Sequence, residues 1–269
     1  MTGGRWLELG DGVLVRRYAE LDLSVGLVVG ADACLVVDTR GDRAQGAELA
    51  AAVRAVTPHP WRVVLTHAHF DHCFGTGAFL PGEVWAHEGC LAGIAAAWSR
   101  QRAAWAAHYR AEGRADIAAE IAATDPVRPT RTFTDRAELS VGGRRVLLRH
   151  VGPAHTDHDA VVLVPDANVA FVGDLAEHPE FVPSSFEDCH LAGWPAALDR
   201  VLALGASVLV PGHGEPVDPS FVAGQRDTLA TLADLGRAVS AGELTTEDAV
   251  RRAPLDAEAA RAALARLPA

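Results

Sequence analysis

The chain has 269 residues, 49% hydrophobic and 22% charged, which suits a globular protein with a large core. Its net charge is −11, and all 24 basic residues are arginine, so an acidic surface argues against a nucleic-acid partner. No apolar run approaches the roughly 18 residues that a membrane span needs, and the N-terminus lacks a signal-peptide core. A cytoplasmic protein is therefore expected. The four cysteines, Cys34, Cys73, Cys90 and Cys189, form no Cys-x-x-Cys pair and read as free thiols.

Residues 5–38 read as a β-meander, with strands at Val13–Val15, Leu23–Val29 and Cys34–Val37 between glycine turns. Asp38 closes the last strand, where a carboxylate could orient a metal-binding histidine or simply form a turn. Helical spacing over 43–56 ends before Pro58. The apolar run Trp61–Leu65 then predicts a buried strand that delivers Thr66-His67-Ala68-His69-Phe70-Asp71-His72. In extended chain, residues two apart point the same way, so His67 and His69 can grip one ion. Asp71 and His72 must diverge, which suits a second. Imidazole with carboxylate favours zinc, with manganese or iron as alternatives. Cys73 follows directly and reads as a buried, inert thiol.

Beyond this loop, Val84–Ala86 predicts a strand, and the alanine-rich stretch 90–123 predicts a helical excursion over one rim of the site. Its Trp98, Trp105 and Tyr109 suit either a substrate wall or core packing. Strands are expected at Thr130–Phe133, Leu139–Val141 and Val146–Leu148, before the loop Gly152-Pro153-Ala154-His155-Thr156-Asp157-His158-Asp159. Strands Ala160–Val164 and Val169–Val172 follow, the second ending at Gly173-Asp174. A helix over Pro195–Leu204 leads to a strand at Ser207–Val210 and then Pro211-Gly212-His213-Gly214. From Asp218 the tail is helical, with a capping box at Thr245/Asp248 and a further start near Pro254 and Glu258. Those helices could cover the sheet, shape the pocket or support a homodimer. The order of elements suggests one domain of two β-rich halves, about 1–125 and 126–217, with a helical segment over 218–269.

The ordered motifs His-x-His-x-Asp-His, Gly-Pro-Ala-His-Thr, Phe-Val-Gly-Asp-Leu and Pro-Gly-His-Gly resemble the metallo-β-lactamase-fold hydrolase superfamily over roughly residues 5–240. The resemblance implies an α+β fold, a four-layered αββα sandwich with metals in a groove at one sheet edge. It places one metal on His67, His69 and His155, a second on Asp71, His72 and His213, and Asp174 between both. Two divalent cations, most simply zinc, would then activate a bridging hydroxide, with Asp71 orienting it. A net charge of about +1 is left to stabilise the oxyanion. Aspartate at 174 resembles the glyoxalase II, lactonase, thioesterase and phosphodiesterase branches more than the β-lactamases. A small ester, thioester or lactone is the expected substrate. An iron persulfide-dioxygenase-like oxidoreductase, with one ion on two histidines and an aspartate, is the alternative. His158 and His178 are the remaining histidines with a possible place beside the metals or substrate.

Overall fold

The computed structural model describes residues 3–178 and 188–267. Two sheets lie face to face. The first has seven strands in sequence order: β1 (Arg5–Gly10), β2 (Val13–Arg17), β3 (Ser24–Val29), β4 (Cys34–Val37), β5 (Trp61–Val64), β6 (Val84–His87) and β7 (Arg131–Phe133). β1 to β4 pair antiparallel, and β4 to β7 run parallel. The second sheet has β8 (Arg136–Val141), β9 (Arg144–His150), β10 (Ala160–Val164), β11 (Val169–Glu177) and β12 (Val208–His213), in the order β12-β11-β10-β9-β8. β7 thus belongs to the first sheet, and the break between sheets falls after Phe133 rather than near residue 125.

Eight helices complete the described chain: α1 (Arg43–Val56), α2 (Phe70–Cys73), α3 (Glu88–Ala111), α4 (Ala115–Ala123), α5 (Trp194–Leu202), α6 (Pro219–Ser240), α7 (Thr246–Arg252) and α8 (Ala257–Leu264). None is long and apolar enough to cross a membrane.

Strand periodicity explains the four layers. In β4, Leu35 and Val37 join the core between the sheets, while Cys34 and Val36 face the helices outside. In β10, Ala160, Val162 and Val164 face inward, and Val161 and Leu163 outward. A strand buried on both faces reads as an unbroken apolar run, because neither side chain set meets water. Each fully buried Val or Leu contributes roughly 1.5–3 kcal/mol. α1, α3 and α4 cover the first sheet, and α5 and α6 cover the second. The αββα architecture expected from the sequence is the one observed.

α1 matches its expected span, started by the Asp42 carboxylate accepting from Gln45 N at 2.7 Å. The 90–123 stretch is two helices, broken at Gly113, whose φ of +76° leaves the helical region. Its aromatics pack inward: Trp98 stacks on Phe74 at 3.7 Å and Trp105 on Phe70 at 4.2 Å. They buttress the back of the histidine loop. In the tail, Thr245 caps α7 as its capping box predicted, whereas α8 starts from Asp256. α6 lies on the second sheet's helical layer, and α7 and α8 close a small separate core with Leu235.

Candidate metal centre

The C-terminal ends of parallel strands β4, β5, β11 and β12 come together at one edge of the sandwich. Past β5, the chain leaves the sheet and turns into α2, carrying His67, His69, Asp71 and His72. His155 comes from the loop between β9 and β10, Asp174 from a register shift in β11, and His213 from the end of β12. All are buried except His213, which is partly exposed. Ligand atoms of His67, His69, His155 and Asp174 lie within 4.8 Å of one another, as do those of Asp71, His72 and His213. The structure therefore brings together all seven residues singled out as metal ligands.

The first group is three imidazoles facing inward. His67 Nε2 stands 3.1 Å from His69 Nδ1, and His155 Nε2 stands 2.9 Å from the same atom. In the second, His72 Nε2 and His213 Nε2 are 3.4 Å apart, and Asp71 Oδ2 is 3.3 Å from His213 Nε2. Asp174 sits between them: Oδ1 is 3.2 Å from His72 Nε2, and Oδ2 is 3.6, 3.4 and 3.4 Å from the Nε2 atoms of His67, His155 and His213.

These distances test whether cations fit. Zn–N bonds of about 2.0–2.1 Å at tetrahedral angles place neighbouring ligand atoms about 3.3 Å apart. The observed separations fall within a few tenths of that. Both oxygens of Asp174 and Oδ1 of Asp71 are buried without a hydrogen-bond partner, although imidazole nitrogens surround the Asp174 carboxylate. Buried carboxylate oxygens left in that state are costly unless a positive charge meets them. The donor set fits two divalent cations.

Electrostatics divide the site in two. Burial, reinforced by the neighbouring histidines, holds His67 well below its ordinary value and takes His155 down to about 3. Burial opposes charge on His72 and His213 as well. There the carboxylates of Asp174 and Asp71 outweigh it and raise both. Asp174 is held low against its own burial by the facing histidines, His72 first. Without cations, protons on His72 and His213 balance the carboxylates.

A surrounding layer fixes the rings. Asp38, buried in the left-handed region at φ +65°, accepts from His72 Nδ1 at 2.9 Å and from Thr66 N and Oγ1, both at 2.8 Å. With His67 Nε2 turned to the cluster, its Nδ1–H donates to Thr66 Oγ1 at 3.0 Å, so Asp38 orients both histidines. His213 Nδ1–H donates to Leu21 O at 2.6 Å. Gly212 is obligatory in packing terms, since a Cβ there would stand 1.9 Å from Asp174 Oδ1.

His158 supports the loop: its Nε2 accepts from Ala68 N at 3.2 Å while Nδ1–H donates to Asp157 at 2.6 Å. His178 has its ring against Phe221 and its backbone N–H on His213 O at 3.1 Å. It positions backbone and is not brought to the ligand cluster. Cys73 is buried and donates to Ala68 O at 3.6 Å; burial pushes its thiol well up, consistent with inertness.

Two residues escaped the sequence reading. The Asp188 carboxylate accepts from His69 Nε2 at 3.2 and 3.3 Å, and that bond takes Asp188 down to about 2 against its desolvation. Gln101 of α3 clasps the loop, accepting from Phe70 N at 2.9 Å and donating to Ala68 O at 3.0 Å. Asp188 lies within the stretch 176–192, in which no motif is readable; residues 179–187 lie outside the described residues. Gln101 could have been found only by placing α3 behind the loop. Among the described residues, a cleft of about 410 Å³ borders the Asp188 side of the cluster, between Ala92, Gly93 and Ala96 of α3 and Asp157 and His158.

The sequence profile of the metallo-beta-lactamase superfamily matches residues 20–213. A linear primary-alkylsulfatase from a Pseudomonas species is 26% identical over 220 residues, 71% of this chain and 41% of that protein. The chain thus spans less than half the length of this curated relative. Among solved structures, a metallo-beta-lactamase from Pontibacter korlensis superposes with a TM-score of 0.64 at 21% identity, covering 84% of this chain and 99% of that one. FIM-1 metallo-beta-lactamase from Pseudomonas aeruginosa, in a mono-zinc form, gives 0.66 at 18% identity, covering 86% and 97%.

Proposed function

Because this chain belongs to the metallo-beta-lactamase superfamily, we propose that it is a dinuclear metal-dependent hydrolase of a small ester, thioester or lactone. The observation that carries this reading is the convergence of six ligand-type side chains around Asp174, whose two buried oxygens face both groups without a hydrogen-bond partner. When bound, two divalent cations, most simply zinc, supply an activated water at neutral pH and positive charge for the developing oxyanion.

The chain's own residues do the rest. His67, His69 and His155 would hold one cation; Asp71, His72 and His213 the other; Asp174 both. Asp38, Asp188 and the Leu21 carbonyl fix the tautomers of His72, His69 and His213, so that these rings would present a bare nitrogen to the cations. Asp71 keeps Oδ1 free of hydrogen bonds, available to orient the attacking water. The cleft beside α3 would take the organic part of the substrate, with small side chains leaving the space open.

A complete seven-residue set favours hydrolysis over the alternative of a single iron held by two histidines and an aspartate. Sulfate-ester cleavage is the second reading of the bond class, supported by the likeness to an alkylsulfatase. The test is a panel of short acyl esters, thioesters, lactones and alkyl sulfates, assayed before and after chelation, together with oxygen uptake on glutathione persulfide. Chelator-sensitive ester or lactone hydrolysis supports the proposal. Oxygen consumption without hydrolysis would overturn it, and sulfate release alone would move it to the second bond class.

A further inference from the structure

His213 has as its orienting partner a main-chain carbonyl in a strained loop. Its Nδ1–H donates at 2.6 Å to Leu21 O. Leu21 and its neighbour Asp22 both have positive φ, +56° and +49°, unusual for a branched apolar residue and its follower. Such a conformation persists only where surrounding structure over-determines it.

The surrounding structure here is Arg17. Its buried guanidinium, at the end of β2, donates through Nη1 to Asp22 O at 2.7 Å and to Ser24 Oγ at 2.8 Å, and pairs through Nη2 with the Asp22 carboxylate. Nε lies 3.6 Å from Glu215. Asp22 O also accepts from Gly214 N at 2.8 Å, and Ser24 Oγ donates to Gly214 O at 3.0 Å. One cation therefore ties the Leu21–Asp22 turn to the residue directly after His213. From the other side, Tyr109 of α3 donates to Glu20 at 2.7 Å, and Arg114 pairs with Glu20.

We infer that Arg17, acting through Asp22, is a positioning residue for His213: it holds the Leu21 carbonyl where it fixes the His213 tautomer and ring. A lysine could supply the charge, but its single ammonium cannot fork onto Asp22 O, the Asp22 carboxylate and Ser24 together. The consequence for the metal rests on the dinuclear reading; the ring orientation does not.

The experiment therefore reads the imidazole N–H directly. In full-length protein with ¹⁵N-labelled histidine, proton exchange at His213 Nδ1 is compared with that at His72 Nδ1, which Asp38 holds independently. Arg17→Lys and Asp22→Asn are expected to speed exchange at His213 at least tenfold and to leave His72 unchanged. Asn tolerates the positive φ, so the second variant probes the ion pair without forcing the turn. With zinc added, the same variants should release their more weakly held ion at about tenfold lower chelator, the lower end of what orienting partners cost. Wild-type exchange at His213 in both variants would overturn the inference, as would equal acceleration at His72, which would mean general loosening. If wild type binds none of zinc, manganese or iron, the proposed hydrolase function fails, yet the exchange comparison still decides the role of Arg17.

Discussion

Asp38→Asn separates a metal role from a folding role with one isosteric change. Asp38 accepts three hydrogen bonds: Thr66 N on Oδ1, and Thr66 Oγ1 and His72 Nδ1 on Oδ2. An asparagine keeping its oxygen on Thr66 N turns its NH₂ toward His72 Nδ1. Two donors then face each other, and the ring must give up its Nδ1 proton while keeping the one on Nε2, the nitrogen that faces Asp174 at 3.2 Å. Restoring the metal-ready tautomer costs the lost charge-assisted bond, about 1.5–3 kcal/mol, or about 10- to 100-fold in affinity. The metal-free protein relieves most of this by shedding the Nδ1 proton and keeping Nε2–H on Asp174, so its stability should fall by only about 1 kcal/mol, about 2–4 °C in Tm. Asn also tolerates the φ of +65°. The assay is chelator competition for bound zinc, paired with a thermal melt of the chelated protein. A wild-type chelator midpoint in the folded variant would refute the reasoning.

Other perturbations follow from the same geometry. Gly212→Ala puts a Cβ on Asp174 Oδ1; it should abolish retention of both ions while circular dichroism still reports a folded sandwich. His158→Ala strands the buried Ala68 N–H and should lower stability by about 1–3 kcal/mol in a denaturant melt. His72 and His213 are raised in the metal-free state, so cation binding must expel about two protons from them. Calorimetry in buffers of different ionisation heat should register that release, and affinity should fall as pH falls. The sign reverses for the chelated protein. Groups with raised folded pKa stabilise below their unfolded value and lose that contribution as pH rises, so its Tm should drop above neutrality.

The candidate ligand set was readable from sequence because most of these residues sit at or beyond a strand end, where apolar runs stop abruptly at His, whereas Asp174 sits at the register shift inside β11. His67, His69, Asp71 and His72 even share one loop. Strands buried on both faces announce themselves by composition: Ala160–Val164 and Cys34–Val37 matched their expected spans, whereas β11 runs on to Glu177, past the expected end at Val172. The break in the 90–123 helix lay in Gly113, which alanine-rich surroundings masked. What stayed illegible depends on contacts across the chain. Asp188 reaches His69 over 119 residues, and His213 reaches a carbonyl 192 residues away, an atom with no side-chain identity to read. Arg17 likewise looks like any strand-end arginine until the turn it holds is seen.

The central claim is that two cations share Asp174. Metal content per chain, measured on protein purified without added metal and on its His155→Ala and His213→Ala variants, tests it most directly. The account predicts two ions in wild type and one in each variant. One ion in wild type that survives His213→Ala, or two ions that survive both substitutions, would contradict it.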